Sequence, residues 1–207
     1  LALEEVAEPG APGAGQVRIA VRAAGINFAD TLMIRGKYQV KPDFPFSPGL
    51  EIAGIVEEVG SGVTSVRPGD RVMALLDHGG YAERAVARAA DVFPIPDSMD
   101  FETAAGFPIA YGTSHVALWE RAGLKPGETL VVHGAAGGVG LTAVEIGKAM
   151  GATVIASAGS AEKLEVASGR GADHLIDYRT EDIRARVKEL TGGAGADVIF
   201  DPVGGDV

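Results

Sequence analysis

The segment Thr129-Leu130-Val131-Val132-His133-Gly134-Ala135-Ala136-Gly137-Gly138-Val139-Gly140 constrains this chain more than any other. A short apolar run ends in small residues, and apolar residues at helical spacing follow at once in Leu141, Val144, Ile146 and Met150. The pattern predicts a strand, a tight turn and a helix. Such a turn directs several backbone N–H groups and the positive end of a helix dipole at one point, which suits a diphosphate. Glycines let a ligand reach the main chain where a side chain would block it. The dinucleotide fingerprint is G-x-G-x-x-G, and here Ala135 stands in place of its first glycine, followed by Ala136, Gly137, Gly138, Val139 and Gly140. A plain buried strand-to-helix turn has the same appearance, so the sequence downstream has to decide.

Downstream, Ala152 to Ser157 is a short β-branched run, and Ala161 to Ser168 is helical in composition and closed by Gly169 and Gly171. Asp173 to Asp177 reads as a third strand. Thr180 is the expected N-cap of the next helix, with Glu181 and Asp182 in its first turn and Ile183, Val187 and Leu190 on its apolar face. Asp197 to Asp201 is the fourth strand. Strands alternating with helices in this way predict a parallel, doubly wound α/β sheet.

The end of the second strand bears on which dinucleotide is bound. An NAD site usually carries an acidic residue there, for the ribose 2′-hydroxyl. This chain has Ser157, Ala158, Gly159 and Ser160, followed by Lys163. Hydroxyls and a cation suit a 2′-phosphate, so NADPH is the expected cofactor. An ordinary solvated lysine paired with Glu162 is the competing reading of Lys163.

The first half has another texture. Gln16 to Ala23 alternates polar and apolar residues; Leu50 to Val59, Arg71 to Leu75 and Tyr81 to Val86 are further strand candidates, separated by Gly and Pro turns. Many short strands of this kind suggest a small barrel-like β domain. The expected division is 1–105 for this domain and 106–207 for the nucleotide-binding one.

The 207 residues carry a net charge of −10, which argues against nucleic acid and anionic membrane surfaces as partners. No cysteine is present, which removes disulfides, a thiol nucleophile and cysteine-ligated zinc. No apolar stretch is long enough to span a bilayer and no signal peptide is visible, so the expected location is the cytoplasm. The chain begins at Leu1 and stops just past the fourth strand, which would leave an apolar edge bare. It is therefore expected to be a fragment of a longer protein.

Five segments together resemble one family. They are Ala24-Gly25-Ile26-Asn27-Phe28-Ala29-Asp30, Pro48-Gly49-Leu50-Glu51, Arg67-Pro68-Gly69-Asp70-Arg71-Val72, Gly79-Gly80-Tyr81-Ala82-Glu83, and Val132 through Gly140. In this order and spacing they resemble the medium-chain dehydrogenase/reductases, most of all their zinc-free quinone oxidoreductase (zeta-crystallin-like) branch. The resemblance implies a GroES-like β-rich catalytic domain joined to a Rossmann nucleotide-binding domain, and a homodimer in the full-length form. Zinc-dependent relatives carry Cys where this chain has Asn27 and His where it has Leu50, and neither Asn nor Leu here is a firm zinc ligand. His78, His115, His133 and His174 show no metal-ligand spacing. No metal is expected.

The implied chemistry is hydride transfer from NADPH to a quinone or similar conjugated carbonyl. The resemblance places Asn27 at the nicotinamide end, Tyr38 near the substrate, Thr113 at the nicotinamide or its ribose, and Lys163 with Tyr178 on the 2′-phosphate. Asp30 is expected to orient neighbours or satisfy a backbone N–H, and Glu51 to be structural. Ordinary roles compete throughout: a turn for Asn27, surface packing for Tyr38, a helix cap for Thr113, sheet packing for Tyr178. Two other functions stay open. The same architecture serves enoyl-thioester and alkenal reductases, and a non-catalytic NADPH-binding structural or RNA-associated protein is a third possibility, disfavoured for RNA by the acidic charge.

Overall fold

In a computed structural model describing residues 1–205, the chain forms two compact units, Leu1–Ile109 and Ala110–Val207. Asp206 and Val207 lie outside the described residues.

The first unit holds strands β1 (Gln16–Ala24), β2 (Glu51–Val59), β3 (Arg71–Leu75), β4 (Arg84–Arg88) and β5 (Val92–Pro94). They form one antiparallel sheet in the order β4-β1-β2-β3-β5. Alternation decides what each strand buries: Val17 and Ile19, Ile52 and Val56, Val72 and Ala74, and Ala85 and Ala87 enter one core. The opposite face contributes Ala53 to a second cluster with Ile95, Ala104 and Ala105. Two short helices accompany the sheet, α1 (Phe28–Ile34) and α2 (Phe101–Ala105). Asp100 caps α2 by accepting the Thr103 N–H at 2.6 Å. Arg71 holds the approach to α2, donating to the carbonyls of Pro96, Asp97 and Met99 and lying 4.6 Å over the Phe101 ring. The fourth strand begins at Arg84, three residues later than Tyr81, because the main chain of Gly79, Gly80 and Tyr81 is bonded to Ser47, Gly49 and Pro48.

The second unit begins within α3 (Phe107–His115), which passes into a π-helical turn at Val116–Arg121. β6 (Thr129–Val132), α4 (Gly138–Ala149), β7 (Thr153–Ala158), α5 (Ala161–Gly169), β8 (His174–Asp177), α6 (Ile183–Leu190) and β9 (Val198–Phe200) follow. The sheet is parallel throughout, in the order β8-β7-β6-β9. Both faces of β6 and β7 are buried. Leu130, Val132, Val154 and Ala156 meet Ala143, Val144 and Ala167 of α4 and α5, while Val131, Ile155 and Ile176 meet Val187 of α6. That two-sided burial explains why Leu130–Val132 and Val154–Ala156 read as apolar runs.

One local expectation is corrected. The N-cap of α6 is Asp182, whose carboxylate accepts the Ala185 N–H at 2.7 Å. Thr180 lies in the preceding turn with its hydroxyl toward the Asp177 carbonyl, and Glu181 reaches back to the Asp177 N–H. The two acidic residues thus stabilise different turns, and the helix starts later than Thr180 would place it.

Candidate functional site

In a doubly wound sheet the ligand crevice lies beyond the carboxyl ends of the strands, where the strand order reverses. Here the reversal is between β6 and β9, which the His133 N–H joins at the Phe200 carbonyl, 2.9 Å away. The small-residue turn leaves β6 at this point. Its backbone folds back on itself through Gly137 N–H to Gly134 carbonyl, 2.9 Å, and helix α4 begins at Gly138. The N-cap is Gly137, extended at φ −79° and ψ 163°, and no side chain caps the helix. The first-turn N–H groups of Gly138, Val139 and Gly140 have no intrahelical acceptor by the geometry of an α-helix.

The glycines of this turn have separate reasons to be glycine. A Cβ on Gly140 would collide with the Gly134 carbonyl oxygen, so this position sets how closely α4 approaches the turn. A Cβ on Gly138 would meet nothing within 4 Å. Gly137 and Gly138 are exposed, Ala136 and Val139 half-buried. Nothing in the protein's own packing excludes a side chain at Gly138, whereas a diphosphate drawn to the helix N-terminus would. The residues present therefore fit a dinucleotide.

The helix start is braced from α3. The Ser114 hydroxyl donates to the Val139 carbonyl at 2.8 Å and lies 2.8 Å from the Thr142 hydroxyl, which donates to the Ala110 carbonyl at 3.0 Å. Thr113 is the exposed neighbour of Ser114 in the last turn of α3, so it does not cap a helix start.

Lys163 and Tyr178 stand past the carboxyl ends of β7 and β8 respectively. Lys163 is exposed in the first turn of α5, whose N-cap hydroxyl, Ser160 Oγ, accepts its N–H at 3.4 Å. Tyr178 is half exposed and covers Gly159, where a Cβ would come 2.5 Å from the phenolic oxygen. Ser157 is placed differently from the expectation that it meets the cofactor. It is fully buried, and its hydroxyl is engaged 2.8 Å from Nδ1 of His133, itself 9 % exposed. The hydroxyl thus holds the residue that opens the glycine turn, while beyond it Gly159 is buried beneath Tyr178 and Ser160 is half-buried.

In the first unit the expected residues Asn27 and Tyr38 stand at opposite ends of α1. Asn27 is its half-buried N-cap, and Tyr38 is half-buried in the bend beyond its last turn. Asn27 and Asp30 form a capping box at this helix start, and the Asn27 amide Nδ2 donates to Glu51 Oε1 at 2.8 Å. The other Glu51 oxygen accepts the Ile109 N–H at 2.9 Å. Burial raises the Glu51 carboxyl above its ordinary 4.5, with the Ile109 and Asn27 hydrogen bonds working against that rise. Asp30, 2 % exposed, accepts the Asn27 N–H at 2.8 Å, the Gly49 N–H at 3.0 Å and the Tyr81 hydroxyl at 3.0 Å. Burial, and after it the Asp30 carboxylate, push the Tyr81 hydroxyl up to about 12.

Tyr81 and the Glu51 contact to Asn27 were not foreseen as parts of a site. The available signal was the acidic Asp30 three residues after Asn27, the return half of a capping box. Among the described residues no group of three or more His, Asp or Glu is placed to hold a metal ion, and no helix is long and apolar enough to cross a membrane.

An antiparallel β unit is thus followed along the chain by a parallel sheet with a glycine-lined helix start. Residues 13–97 match the alcohol dehydrogenase GroES-like domain, and residues 138–207 the domain described as zinc-binding dehydrogenase. The chain belongs to the medium-chain dehydrogenase/reductase family. It is 47 % identical over 196 residues to the quinone oxidoreductase-like protein 2 homolog of Nematostella vectensis, covering 94 % of this chain and 54 % of that protein. The Escherichia coli quinone oxidoreductase complexed with NADPH superposes with a TM-score of 0.91 at 38 % identity, over 98 % of this chain and 62 % of that one. CurK enoyl reductase superposes with a TM-score of 0.90 at 32 % identity, over 97 % of this chain and 63 % of that one. The chain thus spans between about half and two thirds of the length of these relatives.

Proposed function

We propose that the protein is an NADPH-dependent oxidoreductase that reduces a quinone or a similar conjugated carbonyl without zinc. The observation that carries this reading is the uncapped start of α4 with open space at Gly138, lying at the reversal of strand order. The backbone of Ala136, Gly137, Gly138, Val139 and Gly140 holds the diphosphate, with the helix dipole favouring its charge. Lys163 supplies the cation for the 2′-phosphate and Tyr178 the hydroxyl beside it. No carboxylate follows β7 to claim a 2′-hydroxyl, since Gly159 and Ser160 stand there. Ser157 acts through His133 and is a positioning residue.

NADPH, when bound, supplies the hydride, and the protein's own part is to orient and to stabilise charge. Asn27 is assigned to the substrate oxygen: an amide donor meets the negative charge that develops there, and Asp30 fixes the Asn27 main chain for that task. Tyr38 is assigned to substrate contact and Thr113 to the nicotinamide or its ribose. The absence of cysteine, together with Asn27 and Leu50 at the positions of zinc ligands in metal-dependent relatives, supports a metal-free reaction. A conjugated acceptor takes hydride without a Lewis acid, which favours quinones and enones over simple alcohol–ketone pairs.

The likeness to an enoyl reductase favours a second acceptor class, a C=C conjugated to a thioester carbonyl. One assay separates the two: NADPH oxidation by the natural full-length protein, in the presence of a chelator, against a quinone series and an enoyl thioester. Quinone turnover unaffected by the chelator is the expected result. Turnover confined to the thioester transfers the reading to the second class, and oxidation with neither acceptor rejects both.

A further inference from the structure

We propose that Glu51 is a positioning residue whose carboxylate fixes which way the Asn27 side-chain amide faces. This rests on the assignment of Asn27 to the substrate oxygen. Glu51 opens β2 and is 2 % exposed, and both of its oxygens accept from N–H groups. The Ile109 N–H is a main-chain donor with no alternative polarity, so it claims Oε2 as an acceptor at 2.9 Å. Oε1 is left for Asn27, 2.8 Å away. An ionised carboxylate only accepts, so the half of the amide that faces it is the NH2 group. The Asn27 carbonyl oxygen and the second Nδ2 proton are thereby directed away from Glu51.

The rest of Asn27 is held independently. Its N–H is bound by Asp30, and Asp30 is itself held by Gly49 and Tyr81. The capping box with Asp30 sets Asn27 at the helix start, and Glu51 takes the amide NH2 group. The carboxylate also has a space reserved for it: Gly25 lies alongside, and a Cβ there would collide with the Glu51 carboxylate and with the Ala105 carbonyl. Asp30 and Tyr81 are the titratable groups that interact electrostatically with this carboxylate or its neighbourhood. A carboxylate that served only to satisfy the Ile109 N–H would leave the amide free to turn.

The test is Glu51→Gln. The Ile109 N–H takes the introduced carbonyl oxygen, so an NH2 group now faces Asn27 and turns its amide over. In the natural full-length protein, kcat with NADPH and a quinone falls about tenfold while KM for NADPH changes by less than about twofold, because the lost term is orientation and not cofactor binding. The second readout needs no turnover. In the NMR spectrum of the wild-type protein, one Asn27 Nδ2 proton is shifted downfield and protected from exchange, and Glu51→Gln abolishes that difference between the two protons. Wild-type Nδ2 protons that both exchange at solvent-like rates would overturn the proposal, whether or not the variant folds. So would Glu51→Gln with undiminished kcat. A held amide in a protein that reduces no quinone would reject the assignment of the reaction and uphold the amide placement.

Discussion

Gly140 lies against the carbonyl oxygen of Gly134 with no room for a single carbon between them. The contact draws the first turn of α4 onto the end of β6, and it sets the direction in which the helix N-terminus points. Gly140→Ala must push the helix away from the turn. Overpacking at such a backbone contact costs about 2–3 kcal/mol, and the displaced N–H groups lose NADPH. Chemical denaturation of the variant, paired with a cofactor titration, measures both losses.

Gly138 provides the contrast. A methyl group there enters open space, and its backbone lies outside the left-handed region that favours glycine. Gly138→Ala is expected to unfold within about 1 kcal/mol of the wild type. If the open space is the phosphate cradle, NADPH affinity nonetheless falls about tenfold or more. Unchanged affinity in this variant would detach the cofactor from the glycine turn.

Lys163→Glu replaces an exposed cation with an anion in the first turn of α5. It should weaken NADPH by about tenfold or more through repulsion of the 2′-phosphate, and leave NADH nearly unaffected. Paired titrations with the two reduced cofactors separate this from a general loss of binding.

Ser157→Ala leaves Nδ1 of the buried His133 without its hydroxyl partner. The expected cost is about 1–2 kcal/mol of stability, with the ratio of NADPH to NADH affinity unchanged. A shift in that ratio would return Ser157 to direct contact with the cofactor.

Glu51 gives the stability a pH dependence of known sign. Burial raises its folded pKa above 4.5, so its contribution is fully present below that value and is lost as pH rises through the raised one. The unfolding free energy of the wild type, measured against that of Glu51→Gln, should therefore fall as pH climbs from about 4.5 toward neutrality. Denaturation curves at a series of pH values test this; a difference that grows with pH would contradict the sign.

The two units differ in how much of them the sequence discloses. In the second unit, β6, β7 and β9 carry short apolar runs and α4 and α6 a 3.6-residue pattern, which makes them legible locally, while α5 is legible from its helical composition and closing glycines. The N-cap of α6 is not legible in the same way: Thr180, Glu181 and Asp182 all have capping chemistry, and only the contacts show that Asp182 takes the role. In the first unit, α1 spans seven residues and β5 three, too few for periodicity to register. The glycine turn is legible because its chemistry is contiguous in sequence. The Glu51 arrangement is not, since its partners Asn27 and Ile109 are 24 and 58 residues away. The same distance problem hid Ser157: His133 is 24 residues off, and nothing local reveals that the hydroxyl turns inward to meet it.

The central claim is that a reduced dinucleotide bearing a 2′-phosphate rests on the bare main chain between Ala136 and Gly140. Titration of the natural full-length protein with NADPH and with NADH, followed by nicotinamide fluorescence, tests it most directly. NADPH should bind about tenfold or more tightly than NADH, and Gly138→Ala should weaken both. Equal affinity for the two cofactors, or binding of either that is indifferent to Gly138→Ala, would contradict it.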